Sequence, residues 1–140
     1  MTSLALGLPL LTCLSSTFVF TCHRHKVERP KTNLKKYAMA QTETINEVYA
    51  VNTISWNPVM TSILATGGSD GLIVLWDGKN KTRKYLLTRR DGAITAASFN
   101  AKGTILAYSV GYDWSKGYSG NSPDYPLRLM LHPVLEKMLK

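Results

Sequence analysis

Side chains that can take part in chemistry are concentrated in two stretches of the sequence. The first, Cys22-His23-Arg24-His25, brings one thiol and two imidazoles into four residues, and both groups are ligands that zinc prefers. A structural zinc site also needs a second cluster of such ligands, and the sequence offers none elsewhere. We therefore predict no metal at this stretch, and the two cysteines, Cys13 and Cys22, predict no disulfide framework.

The second stretch runs from Leu64 to Asp77 and contains Asp70 in a Ser-Asp-Gly turn. The residues on either side, 63–66 and 72–76, are apolar and rich in β-branched side chains, which predicts a strand, a tight turn and a second strand. The chain shows no glycine-rich phosphate loop and no nucleophile placed with a base. We therefore interpret Asp70 as structural and predict that the protein is not an enzyme, has no catalytic residues and needs no cofactor.

The second strand ends in Trp76-Asp77, and the pattern around this dipeptide repeats. Ile94 follows Val51 by 43 residues, and Phe99 follows Trp56 by the same interval. A period of about 40–45 residues with a Trp-Asp dipeptide is typical of the four-stranded blades of a WD40 propeller. The predicted strands are Val51–Trp56, Ile63–Thr66, Leu72–Trp76 and Tyr85–Thr88 in one blade, then Ala93–Phe99, Thr104–Val110 and Leu127–Leu131 in the next.

We divide the chain accordingly into an all-β part and an apolar leader. The divisions are a leader at 1–17, the end of one blade at 18–22, a basic loop at 23–47, a full blade at 48–90, a last blade at 91–131 and a frayed or helical tail at 132–140. A closed propeller needs at least about four blades of about 40 residues. We therefore expect a fragment of a propeller, or a ring that another chain completes.

The segment from Met1 to Phe20 allows a second interpretation, because it is apolar and carries no charge. Its length suits a signal peptide or a short membrane span, although it lacks a basic start and Pro9 interrupts it. On the interpretation that we favour, Phe18 to Cys22 is instead the outer strand of a preceding blade. A small secreted or membrane-anchored protein directed by residues 1–20 remains an alternative function.

The charge of the chain favours anionic partners. Seventeen lysines and arginines against nine acidic residues give a formal net charge of +8, which suits nucleic acid, an acidic peptide or a membrane surface. The basic residues are dense just after Cys22, where Arg24 and Lys26 are candidate contacts to RNA phosphates. A solvated basic surface is the alternative explanation.

WD40 blades are often tied together by a hydrogen-bonded chain of His, Thr or Ser, Asp and Trp. Thr66, Asp70 and Trp76 are candidates for three of these positions as structural residues of the blade. Glu47 stands close to the place where the histidine is expected, before the inner strand. We therefore predict that the histidine is missing and that the blade is less rigid for it.

Several motifs, taken in order, resemble the Rae1/Gle2 family of mRNA export factors. They are Phe20-Thr21-Cys22-His23-Arg24, Val48-Tyr49-Ala50-Val51-Asn52, Asn57-Pro58, Gly68-Ser69-Asp70-Gly71, Trp76-Asp77 and Tyr112-Asp113-Trp114-Ser115-Lys116-Gly117. The sibling family Bub3 shares the Cys-His-Arg and Gly-Gly-Ser-Asp-Gly motifs. The loop from Tyr112 to Gly117 favours Rae1/Gle2, and a Bub3-like spindle-checkpoint adaptor is the alternative.

The resemblance implies a seven-bladed propeller to which this chain contributes about the last two blades. It further implies an adaptor for export of poly(A) RNA at the nuclear pore, in the nucleus, the nuclear envelope and the cytoplasm. The implied partners are RNA and an acidic GLEBS segment of a Nup98-like nucleoporin, with ubiquitin or checkpoint proteins by family analogy. It implies no small-molecule substrate.

The resemblance also assigns partner-binding residues by position. Phe20 and Trp76 match an apolar platform, while Lys81 and Arg83 match basic residues that meet acidic groups. Gly78 departs from the family, which often has lysine there. The alternatives are that Trp76 is a buried strut and that Lys81 and Arg83 lie in a solvated turn.

Overall fold

The structure, a computed structural model, describes residues 21–30 and 42–139. Within these ranges, nine strands form three antiparallel sheets. The strands are β1 Arg24–Pro30, β2 Thr42–Val48, β3 Val51–Trp56, β4 Ile63–Gly68, β5 Ile73–Asp77, β6 Thr82–Leu86, β7 Ala93–Phe99, β8 Ile105–Gly111 and β9 Arg128–Pro133. Two short 3-10 helices cover Tyr118–Gly120 and Glu136–Met138.

The two larger sheets have the topology predicted from the 43-residue period. Strands β3, β4, β5 and β6 pair in sequence order, and so do β7, β8 and β9. The inner strands β3 and β7 begin and end at the residues that the sequence predicts. The prediction of an all-β chain built from antiparallel four-stranded blades is confirmed for the first of these sheets, and the second has three described strands.

Both inner strands carry a β-bulge at the same place in the repeat. The register shifts between Val51 and Thr53 in β3 and between Ile94 and Ala96 in β7. The bulged residues are therefore Asn52 and Thr95, again 43 residues apart. A bulge bends its strand and re-aims a side chain, so the repeat places two re-aimed polar residues at corresponding positions.

The main core lies between the two larger sheets. Its buried members come from both sheets, from the residue that follows β6 and from the second 3-10 helix. They are Ala65, Ile73, Leu75, Leu87, Ile94, Leu106, Tyr108, Val110 and Met138. Every residue of β4 is buried, because the strand is covered on both faces. On one face Gly67 lies against Ile94 of β7, and on the other Gly68 lies against the ring of His23.

The prediction of a basic loop over 23–47 is wrong for the residues that the structure describes. Strands β1 and β2 pair there as an antiparallel ribbon, with Val27 opposite Ile45 and His25 opposite Glu47. Half-buried and exposed side chains alternate along β1, which is the period of a strand. This alternation is too short to predict a strand unless the partner strand is known. The basic residues and Pro30 were therefore interpreted as a loop.

The segment predicted as a frayed or helical tail, 132–140, contains the end of β9 and the 3-10 helix Glu136–Met138. Strand β9 continues past the predicted end to Pro133, and the 3-10 helix that follows buries Met138 in the main core. The leader at 1–17, Phe20 and residues 31–41 lie outside the described residues. Within the part of the chain that the structure describes, no helix has the length and apolarity to cross a membrane.

Candidate functional site

A buried chain of hydrogen bonds ties the segment before β1 to the first large sheet. Trp76 Nε1–H donates to Thr66 Oγ1 at 2.9 Å, and that oxygen lies 3.0 Å from His23 Nε2. His23 Nδ1 in turn lies 2.8 Å from Asp70 Oδ1. All four side chains that typify a WD40 blade are thus present and connected.

The prediction that this blade lacks its histidine is wrong, and the ribbon explains why. His23 stands before β1, and the whole ribbon is inserted between it and the inner strand β3. The two ends of the ribbon close on each other, since Tyr49 N–H donates to the His23 carbonyl at 3.0 Å. The insertion changes the distance along the chain but not the position in space, so the histidine is missed when only sequence spacing is considered.

One arrangement of protons satisfies every member of the chain. Asp70 accepts a hydrogen bond from His23 Nδ1–H, which leaves His23 Nε2 as an acceptor for the hydroxyl of Thr66. The Thr66 oxygen then accepts from the indole N–H of Trp76. A buried polar network stabilises a structure only when all of its groups are paired, and this one meets that condition.

A second imidazole, His25, reaches the same carboxylate from the first residues of β1. Its Nε2 lies 2.8 Å from Asp70 Oδ2, and the backbone N–H of Leu72 donates to Oδ1 at 3.2 Å. Burial raises the pKa of Asp70, but the hydrogen bonds from His23, His25 and Leu72 outweigh burial and hold the pKa below its usual value. Asp70 is therefore an ionised, structural anchor for the ribbon.

The lowered pKa of Asp70 predicts how stability changes in acid. Its folded-state pKa lies below the ordinary value of 3.8, so its contribution to the free energy of unfolding is present above that value and is lost as pH falls through the folded pKa. We expect the stability difference between wild type and Asp70→Asn, measured by urea unfolding, to be larger at about pH 6 than at about pH 2. A difference that stays constant between those two pH values would contradict this assignment.

A cleft of about 170 Å³ opens beside this network, between residues 21–25 and the outer part of the sheet. Its apolar wall is formed by Leu72, Val74, Trp76 and Leu86. Two guanidinium-bearing side chains, Arg24 and Arg83, line it as well, and both residues are exposed. Thr21, Cys22, His23, His25 and Asp70 complete the lining.

The structure brings some of the predicted site residues together and leaves others outside the cleft. Trp76 and Arg83 both line it, although Trp76 is half-buried and is also the strut that bonds to Thr66. Lys81 is exposed, has a φ of 57° in the turn before β6, and does not line the cleft. Lys26 is exposed on β1 and is not among the residues that line the cleft.

The charges around the cleft are arranged to leave two cations available. Among residues 21–30 and 42–139, none of the ion pairs involves Arg24 or Arg83. Their neighbour Lys84 pairs instead with Asp77, at 3.6 Å. The carboxylate that lines the cleft, Asp70, is hydrogen-bonded to His23 and His25 and forms no ion pair with Arg24 or Arg83 within the described residues.

Metal binding finds no support in the described residues. No group of three or more histidine, cysteine or acidic side chains there is arranged to hold an ion. His23 and His25 approach Asp70, but both approaches are direct hydrogen bonds of 2.8 Å. Cys22 is a free thiol, and burial raises its pKa.

Proteins with related sequences are named after RNA export. The chain is 43% identical over 121 residues to the mRNA export factor GLE2 of Chaetomium thermophilum, an alignment that covers 86% of this chain and 30% of that protein. It is 35% identical over 126 residues to the Poly(A)+ RNA export protein of Schizosaccharomyces pombe, covering 90% and 31%. It is 35% identical over 121 residues to the protein Rae1 of Drosophila melanogaster, covering 86% and 31%.

The chain belongs to the Rae1/Gle2 family of WD40-repeat proteins. It spans about a third of the length of these curated relatives. No protein-family model matches the chain. Among solved structures, Saccharomyces cerevisiae Sqt1 aligns with a TM-score of 0.40 and 23% identity, covering 59% of this chain and 23% of that one.

Rae1/Gle2 membership was predicted from the sequence, but two members of the site were not. His25 was noticed only as a metal candidate, whereas it is a second partner of Asp70. Leu86 lines the cleft and is 43% exposed, which is high for a leucine at the end of a strand. The pairing of Leu86 with Val74 places it on the Trp76 side of the sheet, and no local sequence signal marks this.

Proposed function

We propose that the chain forms part of an adaptor for mRNA export, and that the cleft beside Trp76 binds an acidic peptide segment. The observation that carries the proposal is the pairing of an apolar wall with two arginines that make no ion pair within the described residues. Such a site matches a peptide with one apolar anchor flanked by carboxylates. The GLEBS-type segment of a Nup98-like nucleoporin has this acidic character.

The names of the relatives support this role but do not extend to the partner. Four of the relatives are named for export of mRNA or poly(A) RNA, and others are named only as WD40 repeat proteins. We infer a non-enzymatic adaptor that works at the nuclear pore, in the nucleus and the cytoplasm. The proposal assigns no catalytic role, because Asp70, the carboxylate among the described lining residues, is held in a structural network.

RNA is the second partner in the proposal. Arg24 and Lys26 are two residues apart on β1 and therefore project from the same face of the ribbon. Both are exposed, and their pairing partners on β2 are Val48 and Asn46. Exposed cations on one face of a ribbon suit contact with successive phosphates.

Charge reversal at the predicted basic pair tests the peptide site. We expect Lys81→Glu with Arg83→Glu to weaken binding of a synthetic GLEBS-type peptide at least about 30-fold, measured by fluorescence anisotropy. The change at Arg83 places a carboxylate in the lining of the cleft, and the change at Lys81 adds another in the turn that precedes β6, so both would repel an acidic peptide. The matched control is Lys102→Glu with Lys137→Glu, which makes the same change in net charge at two exposed positions away from the cleft.

Three outcomes would separate the interpretations. Equal loss in both double variants would mean that only net charge matters, and the cleft assignment would be wrong. Unchanged binding in both would reject Lys81 and Arg83 as contacts. Tighter binding of a GLEBS-type segment from a checkpoint kinase than of one from a nucleoporin would favour the Bub3-like alternative. Binding of a poly(A) oligonucleotide to the same variants tests the RNA contact.

A further inference from the structure

A second cavity lies at the loop that follows β8. It has a volume of about 300 Å³ and is lined by Asn52, Thr95, Tyr112, Asp113 and Trp114. It shares no lining residue with the cleft beside Trp76. The proposed peptide site makes no use of it.

The backbone around this cavity is irregular at three of the five lining residues. Asn52 and Thr95 are the bulged residues of β3 and β7. Trp114 adopts a φ of 57°, which is unfavourable for a residue with a large side chain, and its side chain is 60% exposed. Bulges re-aim side chains, and bulges and strained residues are both over-represented next to functional sites.

The aromatic wall of the cavity is held in place by its own loop. The Tyr112 hydroxyl donates to the Gly117 carbonyl at 2.9 Å and accepts from Lys116 N–H at 3.0 Å. The Tyr112 ring packs against Tyr125 and Trp114, with centroids 5.1 Å and 5.7 Å away. Two aromatic rings are thus positioned before any partner binds.

The cavity also contains an ionised carboxylate. Burial raises the pKa of Asp113, but hydrogen bonds from Ser69 and Ser115 outweigh burial and keep the pKa below its usual value. The Ser115 N–H donates to Asp113 Oδ1 at 3.1 Å. Within residues 21–30 and 42–139, no ion pair involves Asp113.

The side chain of Asn52 offers a second hydrogen-bond acceptor in the cavity. The amide nitrogen of Asn52 donates to the Ile94 carbonyl at 2.9 Å and approaches Ser69 Oγ at 3.3 Å. Its side-chain oxygen takes part in no hydrogen bond within the described residues. The cavity therefore offers acceptors and aromatic faces.

We propose that this cavity binds the guanidinium group of an arginine side chain from a partner peptide. Asp113 supplies the counter-charge, Asn52 a second acceptor, and the rings of Tyr112 and Trp114 a surface on which a planar cation stacks. A carboxylate in the cavity repels phosphate, so a nucleic acid is the less suitable occupant. The site is specific for arginine over lysine, because only the guanidinium is both planar and forked.

Blocked tripeptides test the proposal with the full chain. The probe is acetyl-Gly-Arg-Gly-amide, and the readout is the indole N–H signal of Trp114 in two-dimensional NMR, assigned with Trp114→Phe. We expect saturable binding by the arginine peptide and at least about tenfold weaker binding by Asp113→Asn. The lysine peptide should bind several-fold more weakly, and the citrulline peptide, which keeps the shape but lacks the charge, should not saturate.

The matched control is Asp124→Asn, which removes the same charge from an exposed residue of the same loop. It should bind the arginine peptide within about twofold of wild type. Citrulline binding as well as arginine, or Asp113→Asn binding like the control, would overturn the proposal. The proposal would also be overturned if an adenosine trinucleotide bound at the Trp114 indole and bound more tightly to Asp113→Asn, since that would identify a base-stacking site. None of these results bears on the cleft beside Trp76.

Discussion

Replacing Asp70 with alanine is expected to lower the free energy of unfolding by about 3 kcal/mol. The change removes the acceptor of two imidazoles and of the Leu72 backbone N–H. His23, which is fully buried as a side chain, then keeps its bond to Thr66 and loses its bond to the carboxylate. An unpaired buried polar group costs more than the net value of one hydrogen bond, and this dominates the effect.

Urea unfolding of the full chain measures the loss, with Asp124→Ala as the matched control. Asp124 is exposed, and its carboxylate makes no ion pair within the described residues, so its replacement should cost less than about 0.5 kcal/mol. His25→Ala should cost less than Asp70→Ala, because the His25 side chain is 35% exposed. If Asp70→Ala and Asp124→Ala unfold at the same urea concentration, the network does not stabilise the blade.

The packing of the two large sheets depends on the contact between Ile94 and Gly67. Ile94 is fully buried, and a Cβ placed on Gly67 would lie 2.5 Å from its Cγ2. We expect Ile94→Ala to lower the free energy of unfolding by about 3 kcal/mol through loss of burial and a residual cavity. Gly67→Ala alone should cost about 2 kcal/mol, because the added methyl meets Ile94 and Thr53.

The double variant makes this prediction sharper. With Ile94 shortened to alanine, the methyl of Gly67→Ala occupies space that the isoleucine left. The double variant should therefore lose about 1 kcal/mol less free energy of unfolding than the sum of the two single losses. Ile54→Ala is the control, since Ile54 is 61% exposed in β3 and should cost less than about 1 kcal/mol. Full additivity of the two changes would show that the residues are not in contact across the sheets.

Much of the architecture follows from the sequence because it rests on local patterns. The alternation in β3 and β7 and the Asp70-Gly71 turn each depend on residues close together in the chain, and the 43-residue interval is the distance at which such a local pattern recurs. Gly71 has a φ of 74°, as its place in the turn requires. A side chain there would also collide with the carbonyls of Arg90 and Gly92, at 2.6 Å and 2.8 Å.

The pairing of distant residues was decided only by the tertiary structure. The partner of Asp70 could not be found by counting positions, because the ribbon β1–β2 lengthens the chain between His23 and β3 while returning it to the same place. The cavity beside Trp114 is a similar case, since Asn52 lies 61 residues before Asp113. Local sequence patterns specify strands and turns, whereas contacts across an insertion or between sheets depend on how the whole chain packs.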